Sequence, residues 1–292
     1  MSITDLVNGK TKVFGIIGNP IEHSFSPILQ NTVAKEMGEN VAYVPFKAES
    51  GEVKTALEGA FRLGICGFNV TVPHKKEVME SLVAIDDLAL KIGAVNTLKY
   101  TENGYKGYNT DILGLGKCFD IEGISIKGKT VVILGAGGAA NSAAILAAER
   151  EAGNIVIVNR TKANGQALKE QTARYYNGNI DVISFDEIMN IENPEIVIQT
   201  TSVGMGEGVW ASPVENTLFF KKVQAVVDIV YTPWQTKFLS DAKERGCVAI
   251  NGFDMLIYQG LASYEIWHDV KIDDEKSKEL RNELADYYTA KR

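Results

Sequence analysis

The apolar positions change their period along the chain, and each change marks an element. Val13 to Ile17, Val41 to Phe46 and Phe68 to Val72 are apolar or alternating runs of strand length, whereas Pro27 to Met37 and Gly51 to Leu63 carry apolar residues at helical spacing. This is a βαβ rhythm. Ala94 to Tyr100 and Tyr105 to Tyr108 flank the turn signal Asn103-Gly104, which predicts a hairpin closing this first sheet at an antiparallel edge.

A second series begins at Thr130. Strands are predicted over Thr130 to Leu134, Ile155 to Val158, Ile180 to Ser184, Ile196 to Gln199 and Ala225 to Ile229, with helical segments between several of them. After the short apolar Cys247 to Ile250, Phe253 to His268 and the charged run to Arg292 read as helices. The fold class is therefore α/β, with two α/β domains, a cleft between them and a split near Asp111.

Composition agrees with that reading. The 292 residues, 45% hydrophobic and 23% charged, correspond to about two domains at roughly 150 residues each. Lys plus Arg number 30 against 37 Asp plus Glu, a net charge of -7, so neither a nucleic-acid nor a membrane partner is expected. Three cysteines, Cys66, Cys118 and Cys247, share no short spacing, which leaves no disulfide framework and no metal site. Asp5 and the lack of an apolar run at the amino terminus argue against a signal peptide, so the expected location is cytoplasmic. Thr130 to Ala148 holds no charge and is long enough for a crude transmembrane screen. Gly135, Gly137, Gly138, Asn141 and Ser142 interrupt it, which fits a buried strand turning into a buried helix instead.

Two glycine patterns compete for a phosphate. Gly123 to Thr130 has P-loop spacing, but it precedes a strand where a P-loop follows one, so it is read as a solvated turn. Gly135-Ala136-Gly137-Gly138-Ala139-Ala140 follows the strand and opens the Ala-rich helix, the place of a dinucleotide fingerprint. Backbone amides there can approach a pyrophosphate at a helix N-terminus. A glycine-rich turn without a ligand is the alternative. The next strand ends in Asn159-Arg160-Thr161, where an NAD enzyme usually places an acid for the ribose hydroxyls. A guanidinium there can pair with a 2′-phosphate, which favours NADP over NAD, although a surface Arg at a strand end would look the same.

The first domain offers polar groups at strand ends. Ser26-Pro27 starts a helix with Ser26 as a good N-cap, while Ser24 has no capping role; two such hydroxyls could both donate to a small carboxylate. Asn69 and Thr71 share one face of their strand, which could equally be a polar outer face. Lys75 follows the strand's carboxyl end, where open α/β sheets place their sites, although most lysines are simply solvated. The same surface could receive Asn96, Asn109 and Asp111. No nucleophile elbow and no His-Glu-x-x-His occurs, so serine-hydrolase and zinc-enzyme readings lack their parts.

Taken in order, Gly18-Asn19-Pro20, His23 to Pro27, Asn69-Val70-Thr71-Val72-Pro73-His74-Lys75, Gly93 to Thr97, Gly107 to Asp111, Gly135 to Ala140, Asn159-Arg160-Thr161 and Gln259-Gly260 resemble the shikimate dehydrogenase family. The resemblance implies an NADP-linked interconversion of 3-dehydroshikimate and shikimate in aromatic biosynthesis. It implies a substrate domain built from residues 1–111 and 252–292, with a Rossmann-like NADP domain, 112–251, inserted between. By motif position it assigns Ser24 and Ser26 to the substrate carboxylate. Thr71, Asn96, Asp111 and Gln259 go to substrate hydroxyl or carbonyl groups, and Lys75 with Asp111 to catalysis. Cofactor contacts fall to Asp87, Gly135, Ala136, Gly137, Gly138, Ala139, Ala140, Asn159, Arg160, Thr161, Asn164, Ile229, Tyr231 and the Gly252 carbonyl. One departure is visible: many relatives carry a second Arg where Asn164 stands, so half of the phosphate clamp is absent. A quinate dehydrogenase using NAD, or a non-catalytic NADP sensor, are the alternatives. The partner is expected to be a small-molecule substrate and the chain a monomer or homodimer.

Overall fold

The protein is described by a computed structural model covering residues 7–291. Asp5 and Arg292, which entered the readings of the two chain ends, lie outside the described residues. The chain divides into two compact units: residues up to Leu113 with Gln259–Tyr287, and Gly114–Tyr258 with the residues from Tyr288 on.

The first unit opens with β1 (Lys12–Gly18), α1 (Ser26–Glu36), β2 (Val41–Lys47), α2 (Val53–Arg62), β3 (Gly67–Val70), β4 (Ala84–Ile85), α3 (Asp87–Ile92), β5 (Thr97–Thr101) and β6 (Gly104–Tyr108). Its sheet runs β2-β1-β3-β5-β6-β4. β1 lies parallel between β2 and β3, and β5 is antiparallel to β3 and β6.

The hairpin forms at Asn103-Gly104, but it is not the sheet's edge. β4 pairs parallel with β6 outside it. Two residues are too few to show any hydrophobic period, so this strand left no mark in the sequence. β5 also starts three residues later than the apolar run predicts. Gly93, at φ 70°, closes α3 in the left-handed region and the amides of Gly93 and Ala94 bond back to Ala89, so that stretch belongs to a helix cap.

The second unit contains most of α4 (Asp111–Ile121), then β7 (Thr130–Leu134), α5 (Gly138–Glu149), β8 (Asn154–Val158), α6 (Lys162–Thr172), β9 (Asn179–Ile183), β10 (Ile196–Gln199), β11 (Ala225–Asp228), α7 (Lys237–Glu244) and β12 (Val248–Asn251). All its strands are parallel, in the order β12-β11-β10-β7-β8-β9. That is the order of a doubly wound dinucleotide fold, whose crossover point lies between β7 and β10. α8 (Gly252–His268) and α9 (Asp274–Ala290) complete the chain, and the unit boundaries fall inside α4, α8 and α9.

Both faces of a parallel sheet are covered, which explains why β10 and β11 are buried along their whole length and β7 and β8 everywhere but their first residue. Thr130 to Ala148 is the strand β7 and the helix α5, and no helix among the described residues is long and apolar enough to cross a membrane. Gly123 and Gly128 sit at φ 65° and 72° in turns before β7. The P-loop spacing is thus at the wrong end of the strand for a phosphate.

Candidate functional site

In the first unit the groups converge on one carboxylate. Lys75 stands in the turn after β3, and its carbonyl accepts from the Val95 amide at 2.8 Å, which ties that turn to the segment entering β5. Asp111 is the first residue of α4. Asn109 orients this helix start: its carboxamide oxygen accepts from the Ile112 amide at 3.3 Å and its nitrogen donates to the Ala94 carbonyl at 2.9 Å. Lys75 Nζ then reaches Asp111 Oδ2 at 2.6 Å. Lys75 keeps 31% of its side chain exposed and Asp111 17%, so the pair is reachable from solvent while partly shielded from it.

The other oxygen of Asp111 is also held. Asn96 Nδ2 donates to Asp111 Oδ1 at 2.8 Å and approaches Gln259 Oε1 at 3.5 Å. Asn96 Oδ1 accepts from the Thr110 amide at 2.7 Å and from the hydroxyls of Thr97 and Thr110 at 3.0 and 3.1 Å. Of the sequence-predicted groups, Lys75, Asp111, Asn96 and Gln259 are therefore brought together. Thr71 sits half-buried between β3 and Lys75, where its methyl leaves no room for a side chain at Gly18.

Ser24 and Ser26 exchange the roles expected of them. Ser26 is the first residue of α1, not its cap; Phe25 occupies the cap position without a side-chain bond. Ser24 Oγ instead accepts from the Ser26 amide at 3.3 Å. Phe25 already lies in the right-handed helical region, at φ -79° and ψ -16°, so helical geometry begins one residue earlier than the Ser26 cap predicts. Ser26 is buried, whereas Ser24 is half-buried.

The face carrying Asn69 is covered, not exposed. Asn69 donates to Ser263 Oγ of α8 at 2.9 Å and to Thr97 Oγ1 at 3.1 Å, and accepts from the Tyr43 hydroxyl at 2.7 Å. Sequence reading missed Tyr43 and Ser263. The usable signal was Gln259 and Ser263 one helical turn apart on a helix.

The second unit offers backbone where the first offers side chains. Gly135 leaves β7 at φ 109°, where a Cβ would meet Thr200 Oγ1 at 2.7 Å. Thr200 and Thr201 follow β10, so the two loops at the crossover point touch there. Gly137 is the N-cap of α5 and Gly138 its first residue; a Cβ on either would meet only open space. Ala136 and Ala139 are half-buried and Ala140 is buried. Open amides at a helix start, with no side chain in the way, fit a pyrophosphate.

Asn159 follows β8, and its side chain donates to the Thr161 carbonyl at 2.7 Å and sets the turn into α6. Arg160 is exposed there and has no ion-pair partner among the described residues. Thr161 and Asn164 are exposed at the start of α6. At the end of β11, Ile229 bonds through its amide to the Gln199 carbonyl at 3.1 Å. A Cβ at Gly252 would lie 2.2 Å from the Ile229 carbonyl oxygen, so only glycine fits. Tyr231 packs against Phe253 and Tyr288 with ring centroids 6.4 and 6.0 Å apart. Asp87, in the first unit, is exposed in the first turn of α3, behind the capping Asp86.

Next to Ile229 lies Asp228, fully buried. Its oxygens accept from Thr236 Oγ1 at 2.6 Å and from the Val230 amide at 3.0 Å. Burial outweighs both bonds and pushes its carboxyl up to about 6.

A doubly wound parallel sheet with an open glycine cradle in one unit and a lysine–carboxylate pair in the other, mixed α/β unit are the parts of a two-unit dehydrogenase. The comparisons place it within that class. The model for the shikimate dehydrogenase substrate binding domain matches residues 16–98, and that for shikimate / quinate 5-dehydrogenase matches residues 119–229. The shikimate dehydrogenase (NADP(+)) of Methanococcus aeolicus is 40% identical over 92% of this chain and 96% of that protein. A crystal structure of a shikimate dehydrogenase in complex with NADP+ superposes with a TM-score of 0.87 at 38% identity, covering 96% of this chain and 97% of that one. A Listeria monocytogenes shikimate 5-dehydrogenase in complex with shikimate and NAD gives 0.88 at 29% identity, covering 94% and 97%. The chain belongs to the shikimate dehydrogenase family.

Proposed function

We propose that this chain is an NADP-dependent shikimate dehydrogenase, reversibly reducing 3-dehydroshikimate to shikimate in aromatic biosynthesis. The observation that carries the reading is the 2.6 Å Lys75–Asp111 pair, buttressed by Asn96 and still open to solvent. On this reading residues 1–111 with 252–292 bind substrate and residues 112–251 bind cofactor.

Bound NADP supplies or accepts the hydride. The chain's own residues handle charge and position. As the ketone is reduced, negative charge grows on its oxygen, and the Lys75 ammonium both stabilises that charge and delivers the proton to it. Asp111 holds the ammonium in place and, with Thr71, Asn96 and Gln259, takes the ring hydroxyls. Ser24 and Ser26 donate to the carboxylate. In the second unit the Gly135–Ala140 segment takes the pyrophosphate on its amides, and Asn159, Arg160, Thr161 and Asn164 surround the ribose end. Ile229, Tyr231 and the Gly252 carbonyl would hold the nicotinamide, and Asp87 would add a further cofactor contact.

Absorbance of the reduced nicotinamide, followed with shikimate or quinate and with NADP or NAD, tests the assignment. Shikimate with NADP should give the highest kcat/KM. Lys75→Ala should slow turnover by about a hundredfold to ten-thousandfold, the range of a positioned acid/base, with NADP affinity unchanged. A parent protein that binds NADP and oxidises neither compound is a sensor, and the proposal is then wrong. Ser24→Ala should raise KM for shikimate more than it lowers the melting temperature.

A further inference from the structure

Tyr43, Asn69, Asn96, Thr97, Thr110 and Ser263 are all buried, and their polar atoms close on one another. Thr97 Oγ1, Thr110 Oγ1 and Ser263 Oγ form a triangle with sides of 2.9 to 3.1 Å. Burying so many polar groups costs more than apolar side chains of the same shape unless every one is paired. Among the described residues none of these six keeps an unpartnered buried atom. They come from β2, β3, β5, the segments entering β5 and α4, and α8, which include the elements that hold Asp111 and Gln259.

The bonds have a direction. The Thr110 amide can only donate, so the Asn96 atom facing it is the oxygen, and the Asn96 nitrogen must then face Asp111. The Thr97 and Thr110 hydroxyls clamp that same oxygen. A hydroxyl that points its one hydrogen at that oxygen gives none to the triangle, where it can then only accept. Asn69 Nδ2 supplies Thr97 and Ser263, while Ser263 passes its own hydrogen to the Gln259 carbonyl at 3.0 Å. The Asn96 backbone carbonyl can only accept and takes Asn69 Nδ2 at 3.2 Å, which turns the Asn69 oxygen toward the Tyr43 hydroxyl; burial pushes the Tyr43 phenol well up, so it remains a donor.

We infer that Tyr43 and Ser263 are positioning residues for the Lys75–Asp111 pair, acting through Asn69, Thr97 and Thr110 on the Asn96 amide that grips Asp111. The inference rests on the catalytic reading of that pair. Neither residue touches Lys75, Asp111 or Asn96; each bonds to the groups that hold Asn96. Their effect therefore falls on the proton-transfer geometry more than on substrate or cofactor affinity.

The experiment compares Tyr43→Phe and Ser263→Ala, each alone and in a Lys75→Ala background, in the full-length protein. Each single variant should lower kcat about tenfold, leave the NADP Kd unchanged, raise KM for shikimate less than threefold and displace the pH profile of kcat. In the Lys75→Ala background either change should add less than twofold, because residues acting as a unit are not additive. Equal losses in both backgrounds, or parent turnover with an unmoved pH profile in both single variants, overturn the positioning role while leaving Lys75 catalytic. Parent turnover in Lys75→Ala alone overturns the catalytic reading, and the positioning role with it. Melting temperatures identify a variant that merely misfolds, and the other variant then decides.

Discussion

The two units bury different chemistry. Between β3, β5 and α8 the first unit encloses a hydroxyl and carboxamide cluster, while the second packs Val132, Leu134, Val156, Val158, Val197, Val226, Phe220 and Phe238 into a core of side chains. The difference follows from what each must hold still. On the proposed function, a proton donor works only if its side chain is fixed, and the first unit spends buried polar atoms on position. On the same reading a pyrophosphate would be gripped by backbone amides at the crossover of a parallel sheet, which asks of the second unit a rigid scaffold and a loop without side chains.

That contrast is tested hardest by cutting into the apolar scaffold. Leu134 is fully buried at the end of β7, just before the glycine cradle. Leu134→Ala should cost about 2–5 kcal/mol, the range for deleting a buried Leu side chain with incomplete collapse around it. Denaturant midpoints with and without NADP report it. The loss should reach cofactor affinity through the displaced cradle, whereas Thr97→Val, in the polar cluster, should cost about 1–3 kcal/mol and act mainly on turnover. A Leu134→Ala protein within 1 kcal/mol of the parent, an order-of-magnitude threshold, would mean the second core is loosely packed.

Asp228, buried at the end of β11, should give the second core a pH dependence of its own. Asp228 has its carboxyl raised from 3.8 to about 6, so the folded protein binds that proton more tightly than the unfolded chain. This contribution is fully present below about pH 3.8 and is lost as pH rises through about 6. Across that window it amounts to about 3 kcal/mol. Asp228→Asn, which keeps an acceptor for the Val230 amide, should flatten the fall in denaturant midpoint between those pH values. An unchanged slope in the variant would assign the dependence to other carboxylates.

Much of this was legible in the order of the residues. Parallel strands buried on both faces are continuous apolar runs, so β7 and β10 could be bounded to the residue. The groups around Asp111 were legible as motifs at strand ends. What stayed hidden depends on contacts across the sheet. Tyr43 reads as one aromatic in a strand, and Ser263 as one small residue in a helix; only their meeting at Asn69 gives either a purpose. Asp228 was visible as a strand end, but its raised carboxyl comes from burial beneath Thr236, eight residues on, which no local pattern encodes. β4 and the cap at Gly93 escaped for the opposite reason, being too short to have a period.

The smallest expected effect concerns Arg160, and it sharpens the comparison most. An exposed Arg at the end of β8 with no ion-pair partner among the described residues contributes little to stability, so Arg160→Ala should leave the denaturant midpoint within about 0.5 kcal/mol of the parent. A charge-assisted bidentate contact to a 2′-phosphate is worth about 1.5–3 kcal/mol, roughly tenfold to a hundredfold in NADP affinity. NAD lacks that phosphate and its affinity should hardly move. Titration of both cofactors into the parent and the variant measures the ratio directly. Asn164→Arg runs the test in reverse: one turn into α6, a second guanidinium should tighten NADP and not NAD. If Arg160→Ala weakened both cofactors alike, the residue would be acting on the shape of the β8–α6 turn, and the preference for NADP would have to come from elsewhere in the second unit.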